Sequence, residues 1–534
     1  MKDIRQRNSE FRSELFQHLD GIGTAPACYE LKAKGVLDFI LEHEKSDLDV
    51  LSDEFKANKG YLNVALRILA SQGWVDYDVD NKKETVSVSV NQKSRIAFEL
   101  SEKYAEVIDL IKFSGQFHPR KFEKQPFLKW FEVAKHYQKG IFAESSDPLV
   151  SSIQAQIQRH IEGVLVGPTT VLLGMGGMFH KYFMETSFSP SEYHEDPESF
   201  GKLLDFLAYI GWFEKNGDTY RFTDKGLFFA KRSSAYGVTV SYMPTFRHLD
   251  ELIFGNPEIL KVGAGEKEKG VDREMNVWGS GGAHVAYFKK VDEIVINLFN
   301  RPIQEQPKGI LDMGCGNGAF LIHLFDLIYQ HTERGKILEE YPLFLVGADF
   351  NEAALQVTRA NLINADVWAK VIWGDIGNPD LLAADLKKNY DIQLEDLLNV
   401  RTFLDHNRVW EETDTELEEI SISSGAFSNK GKWLSNNSVE ANLKAHLKKW
   451  QPYIRKYGLI MIELHGLDPK VTSANLGKTA CTAYEATHGF SDQYILELDS
   501  FEKVVNECGM KIDRIHRYKF PDSELATVSI NYLK

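Results

Sequence analysis

A chain of 534 residues has room for about three domains at ~150 residues each. Its 43% hydrophobic and 26% charged residues describe an ordinary globular protein, no apolar run approaches the ~20 residues of a membrane span, and the N-terminus lacks the apolar core of a signal peptide. A net charge of −15 argues against a general nucleic-acid binder, and four scattered cysteines (Cys28, Cys315, Cys481 and Cys508) argue against a disulfide framework and suit a reducing cytoplasm.

Residues 1–90 read as helices followed by a strand pair. Leu31, Val36, Leu37, Ile40 and Leu41 form an apolar helical stripe, and residues 48–55 and 61–71 continue as helices. Strands are expected at 73–77 and 85–88, across the polar stretch 80–83, which makes a winged-helix-like unit. The pattern returns: Leu66-x-x-Leu69-x-x-x-Gly73-Trp74 has the spacing of Leu204-x-x-Leu207-x-x-x-Gly211-Trp212. A hairpin with an Asn216-Gly217 turn follows, so a second such unit is expected at 185–240. DNA binding by these units fails on charge, since only Lys59 and Arg67 lie near the second helix of the first one. A dimerisation or lid scaffold is the expected role.

Residues 91–184 read as a mostly helical lid or linker. Its 113–131 stretch mixes aromatic and basic residues (His118, Arg120, Lys121, Lys124 and Lys129) and suggests a docking patch or an amphipathic surface helix. Gly167, Gly174, Gly176 and Gly177 suggest a hinge between helices. Residues 241–299 are expected to lie over the cofactor pocket, with the glycine cluster 278–284 preceding a helix at 285–299.

The informative stretch is 307–325. A short apolar run ends in Asp312, glycines follow at Gly314, Gly316 and Gly318, and an apolar helix begins. This strand–glycine loop–helix unit opens a doubly wound α/β sheet at 300–534. A dinucleotide and S-adenosylmethionine (SAM) compete for such a loop. The carboxylate of Asp312 would repel a pyrophosphate but not the sulfonium and ammonium of SAM. The next strand, 343–348, leads to Asp349, placed for ribose hydroxyls, and the third, 369–373, leads to Gly374-Asp375, suited to adenine. The Asp312-to-Asp349 interval exceeds the usual ~20 residues, and a loop insertion at 332–340 accounts for it. Strands four and five are expected at 397–401 and 459–464, and a closing reversed hairpin at 511–518 and 526–533. Beyond strands four and five lie Asp405-His406-Asn407-Arg408, His465, and a loop at 485–494. One histidine there would suggest a general base. Several suggest a metal, since imidazole with carboxylate or amide oxygen suits iron or manganese.

The glycine loop with Asp349 and Gly374-Asp375 resembles the class I SAM-dependent methyltransferases. That resemblance implies a cofactor site of Asp312, Gly314, Gly316, Gly318, Asp349, Phe350, Gly374, Asp375 and Ile376. The segments 405–408 and 488–494 resemble those of metal-dependent C-methyltransferases, including enzymes acting on 2-oxo acids. The closer match in length and organisation is the methyltransferase of GNAT-type polyketide loading modules. It implies His406, His488 and Gln493 as metal ligands, with His406 and His488 also catalytic, Asp405 a further candidate, and His465 in support. The implied reaction is metal-assisted methylation of the α-carbon of a malonyl group carried by an acyl carrier protein. A free 2-oxo acid remains an alternative substrate. So does O-methylation without metal, with His406 as base. No nucleic-acid or membrane partner is expected, and the chain is either free-standing or part of a larger synthase.

Overall fold

The computed structural model describes residues 4–113, 124–183, 186–262 and 268–534, and the chain divides into two units. The first comprises Met1–Ala283 with two returning segments, Ala426–Trp433 and Asp468–Asp492. It opens on α1 (Ile4–Ala33), in which every residue from His18 to Cys28 is buried. A helix covered on all sides is a core element, not a surface one. Next come α2 (Val36–His43), β1 (Lys45–Asp47), α3 (Leu48–Glu54), α4 (Lys59–Ser71), β2 (Val75–Asp80) and β3 (Thr85–Val90). The strands pair antiparallel in the order β1-β3-β2, the sheet of a winged helix.

Helices α5 (Ser94–Leu100), α6 (Ala105–Ile111) and α7 (Lys124–Lys139) lead to α8 (Pro148–Met175). Asp147 caps α8 by accepting from the N–H groups of Leu149 and Val150, with Pro148 in the first turn. Helices α1 and α8 cross with backbones in contact. A Cβ on Gly21 would fall 2.2 Å from His160 Cα, and one on Gly163 2.3 Å from the His18 carbonyl oxygen. After α9 (Met178–Tyr182) and α10 (Pro197–Tyr209), β4 (Phe213–Asn216) and β5 (Thr219–Phe222) form the second hairpin. The short helices α11 (Asp224–Ala230), α12 (Gly237–Ser241), α13 (Met243–Phe246) and α14 (Leu249–Phe254) follow, then α15 (Arg273–Phe299).

Two glycine expectations are corrected. Gly167 and Gly174 sit inside α8, where they admit Ile22 and Ser233, and only Gly176 and Gly177 mark the junction to α9. The 278–284 cluster lies within α15, not ahead of a helix. There the Cα of Gly279 stands 2.5 Å from where a Cβ on Gly237 would be, so the glycine serves helix packing. Of the basic stretch, His118, Arg120 and Lys121 fall outside the described residues. Lys124 opens α7, and Lys129 is engaged by Asp109 at 3.4 Å and Glu132 at 3.6 Å.

The second unit comprises His284–Gly425, Leu434–Leu467 and Gln493–Lys534. It is built on β6 (Gly309–Met313), α16 (Ala319–His331), β7 (Phe344–Asp349), α17 (Glu352–Asn364), β8 (Lys370–Trp373), α18 (Pro379–Tyr390) and β9 (Leu397–Thr402). The loop between α16 and β7 holds the expected insertion as a single 3-10 turn, Arg334–Ile337. A small hairpin, β10 (Phe427–Asn429) and β11 (Lys432–Leu434), precedes α19 (Asn436–Ile454) and β12 (Leu459–Leu464). Helices α20 (Pro469–Ala474) and α21 (Cys481–Gly489) come next in sequence but belong to the first unit. Finally α22 (Leu498–Glu507), β13 (Tyr518–Phe520) and β14 (Val528–Leu533) close the chain.

The seven-stranded sheet runs β13-β14-β12-β9-β6-β7-β8. Its strands are parallel except β14, which is antiparallel to both β12 and β13. This is a class I methyltransferase sheet, preceded by a helical region with a winged-helix domain. The strand order reverses between β6 and β9, which places the ligand edge at the carboxyl ends of those strands. One face is sealed by Leu311, Met313, Val346, Ala348, Leu397 and Trp450, all buried. The penultimate strand is shorter than expected. Ile512 pairs antiparallel with Leu533, but Asp513 then accepts from Ile515 N–H and starts a 3-10 turn at Arg514–His516, so the strand is interrupted and β13 begins only at Tyr518.

Candidate functional site

The cofactor segment lies wholly in the second unit. Strand β6 ends at Met313, and Gly314, Gly316 and Gly318 all take positive φ (78°, 56° and 78°). Only glycine adopts such a succession without strain, which is why the loop turns back over the strand ends. Gly314 N–H donates to the Ala348 carbonyl at 2.7 Å, and Gly316 N–H to Asp349 Oδ2 at 3.0 Å. Asn351 N–H donates to Asp349 Oδ1 at 2.9 Å. The Thr358 hydroxyl donates to the Gly316 carbonyl at 2.8 Å and holds the loop from α17.

Asp312 is buried, and burial together with the Asp349 charge pushes its carboxyl up to about 7. Two acids on neighbouring strand ends, with no ion-paired cation among the described residues, favour a positively charged ligand. Phe350 and Trp373 stand exposed beside Asp349, with ring centroids 5.4 Å apart, and the Trp373 indole donates to the Phe350 carbonyl. The two rings are inclined at 49° to each other and offer an exposed aromatic surface. Gly374 N–H donates to the Asp349 carbonyl at 3.1 Å, and Asp375 Oδ1 accepts from Gly377 N–H at 2.7 Å. Ile376 is buried, and its carbonyl accepts from the Trp450 indole. The predicted cofactor residues thus follow one another along adjacent strand ends.

His406 stands in a 3-10 turn, Asp405–Asn407, just after β9. Its Nδ1 lies 2.5 Å from Glu463 Oε1, and its N–H donates to Glu463 Oε2 at 3.2 Å. A carboxylate can only accept, so Nδ1 is the donor in this bond. Tyr494 N–H donates to the His406 carbonyl at 2.8 Å, which fixes the residue after Gln493 against this turn. Asp405 turns inward instead. Its Oδ1 accepts from Arg401 at 2.6 Å and lies 3.0 Å from His446 Nε2. Burial alone would raise the Asp405 carboxyl, but Arg401 and His446 outweigh it and hold the group below the usual carboxylate range. Arg408 locks the turn from below, donating to Asn442 and to the carbonyls of Asp405 and Val439. His465 has both ring nitrogens engaged, Nδ1 near the Leu496 carbonyl and Nε2 near the Ser529 hydroxyl, and burial lowers it to about 4. It is a neutral structural histidine.

His488 belongs to the first unit, on α21. Its Nδ1 lies 2.7 Å from the Tyr484 carbonyl one turn back, so Nδ1 again carries the proton. Its ring centroid is 6.4 Å from that of Tyr242. Of the three predicted ligands, His406 and Gln493 therefore lie in one unit and His488 in the other.

Sequence reasoning passed over the part played by Glu463. The signal was present: an acid inside the otherwise apolar strand Leu-Ile-Met-Ile-Glu-Leu must find a partner when buried. Among the described residues, one group of buried His, Cys, Asp or Glu side chains brings three ligand atoms within 4.8 Å of one another: Glu14, His18 and Glu162. Lys225 already stands 2.6 Å from Glu14, and Arg159 stands 2.8 Å from Glu162. Two acids met by two cations form a closed ion network joining α1, α8 and α11.

Family comparisons match three stretches of the chain. Residues 268–531 match an AprA MT2-like domain, 162–256 an AprA winged helix domain, and 11–77 an AprA N-terminal domain. Along these three stretches the chain is similar to AprA-type proteins, and the match over 268–531 supports a SAM-dependent methyltransferase. Similar solved structures include an O-methyltransferase family protein from Burkholderia thailandensis (12% identity, 73% of this chain and 98% of that one, TM-score 0.40). The mitomycin 7-O-methyltransferase MmcR matches at 10% identity over 72% and 98% of the two chains, with a TM-score of 0.41. The DszA carbon methyltransferase matches at 12% identity over 69% and 88%, with a TM-score of 0.28. No curated protein matches the sequence. No helix among the described residues is long and apolar enough to cross a membrane.

Proposed function

We propose that this AprA-type methyltransferase transfers the SAM methyl group to the α-carbon of a malonyl thioester on an acyl carrier protein, with metal assistance from iron or manganese. The observation that carries this reading is shared by His406 and His488. Each imidazole has Nδ1 committed to an acceptor, Glu463 or the Tyr484 carbonyl, so the nitrogen that would meet a metal is Nε2. Metal-ligating histidines are oriented in this way, by an acceptor bonded to the other nitrogen. His406, His488 and Gln493 are the ligands proposed, and imidazole with amide oxygen is a donor chemistry suited to iron or manganese. When bound, such a metal acts as a Lewis acid towards the enolate of a 1,3-dicarbonyl.

The chain's own residues divide the remaining work. Asp349 accepts from the ribose hydroxyls of SAM, and Asp312 balances its positive charge. The Gly314–Gly318 loop admits the methionine end at backbone distance. Glu463 holds the His406 tautomer.

A second reading, O-methylation with His406 as general base, is favoured by the same Glu463–His406 pair, since an acid on Nδ1 also orients a base. Metal analysis of the purified protein, with and without chelator, separates the two. Under the first reading, His406→Ala and His488→Ala each abolish metal loading, and the chelated enzyme is inactive. Full activity without metal, with only His406 required, would establish the second. Mass spectrometry on malonyl-carrier protein beside free 2-oxo acids tests the substrate. Methyl transfer to the free acids alone would reject the carrier-bound substrate. No DNA or membrane partner is proposed.

A further inference from the structure

In helix-turn-helix proteins the second helix of the pair enters the DNA groove. In the first unit that position belongs to α4, yet every residue from Gly60 to Ser71 is buried. What covers much of it is the returning segment Asp468–Asp492, part of the same unit. Arg67 donates to Glu485 Oε1 from Nε at 3.2 Å and from Nη2 at 2.9 Å, and the Ser71 hydroxyl donates to Glu485 Oε2 at 2.8 Å. The Gln72 amide, just past the helix, donates to Thr482 at 2.9 Å. At the other end the Tyr61 hydroxyl donates to Asp492 Oδ1 at 2.9 Å, which also accepts from Lys430 N–H. Between these grips, Gly489 lies so close to α4 that a Cβ would fall 2.6 Å from Val64.

The grips bracket the proposed metal ligand His488, and the second of them adjoins Gln493 in sequence. Glu485 stands three residues before His488, nearly one helical turn, and Asp492 directly precedes Gln493. Asp492 takes φ 57°, an uncommon left-handed conformation for a non-glycine residue, and Tyr61 and Lys430 hold its side chain there. Apolar side chains would pack α21 on α4 as well, and a buried ion pair is weak evidence for stability. Its directional contacts set position instead.

We infer that Tyr61, Arg67 and Ser71 are positioning residues that template the 485–492 segment, so that a helix in the DNA-reading position of its motif holds the metal ligand His488 in place instead. This rests on His488 binding metal as proposed above.

The test compares wild type, Arg67→Met/Glu485→Met, Tyr61→Phe and His488→Ala for Fe(II) affinity by chelator competition, SAM affinity by calorimetry, and cooperative melting. The double variant replaces the ion pair by apolar groups and is expected to fold. Its Fe(II) affinity should fall tenfold or more, with SAM affinity held within about twofold. Wild-type Fe(II) affinity in the double variant, with binding lost in His488→Ala, would overturn this inference and leave the metal reading intact. Fe(II) binding unchanged in His488→Ala would overturn both. An equal loss of SAM and Fe(II) affinity would mark a merely structural role and overturn the inference. Should the double variant fail to fold, Tyr61→Phe decides, since a drop in Fe(II) affinity alone is expected and no change would overturn the inference.

Discussion

The cofactor loop and the histidine segment are built in opposite ways. Asp312, the glycine loop, Asp349 and Gly374 come from three adjacent parallel strands, and their mutual bonds are mostly main-chain ones. His488 instead sits on a helix whose grip comes from residues more than four hundred positions earlier, through side chains. A backbone-built site tolerates side-chain change around it. A side-chain-built one fails when a single partner is removed.

The largest expected effect is therefore on the second region. Arg67→Met alone leaves Glu485 buried without its cation and should destabilise the protein by about 3–5 kcal/mol, read by urea unfolding. A loss below about 1 kcal/mol, the range of exposed pairs, would show that water reaches the pair and would blur the contrast.

Next comes Asp349→Ala. It should weaken SAM binding by about 1.5–3 kcal/mol for each charge-assisted hydrogen bond removed, measured by calorimetry, and leave metal content unchanged. Loss of metal as well would mean that the two regions are not separable.

A pH series sharpens the comparison further. Asp312 is raised to about 7 by burial and by Asp349, so its carboxyl is largely protonated in the ligand-free protein at pH 6. The stabilising contribution of this group is present in full below its unfolded value near 4 and is lost as pH rises through about 7. A cationic ligand favours the ionised form, so SAM affinity should rise between pH 6 and pH 8. Asp312→Asn should flatten that rise, and a wild-type affinity independent of pH would reject the pairing.

The smallest effect is expected at Trp373→Ala, which removes half of the exposed aromatic pair. It should weaken SAM binding by about 0.5–1.5 kcal/mol. A null result would remove Trp373 from the cofactor surface.

Strands and glycine loop were legible because their determinants are local. Residues 459–464 read as a strand and are β12, and Gly314, Gly316 and Gly318 take the positive φ that their spacing implies. The 511–518 strand pairs with β14 at both ends but is interrupted because Asp513 caps a turn, a short-range bond that apolar patterning does not register. The 278–284 glycines read as a loop because flexibility and close helix packing ask for the same residue.

Sequence by itself determined the class I sheet and its SAM loop, since strand period, terminal acids and glycine spacing are properties of consecutive residues. It also marked His406, His488 and Gln493 as a group. Tertiary structure alone decided that Glu463 holds His406, that Asp405 Oδ1 meets Arg401 and His446, and that α4 faces α21. Those pairings join residues from 41 to more than 400 positions apart, or depend on which way a short turn points its side chains. Only a folded core, where a buried charge must find its partner, selects them.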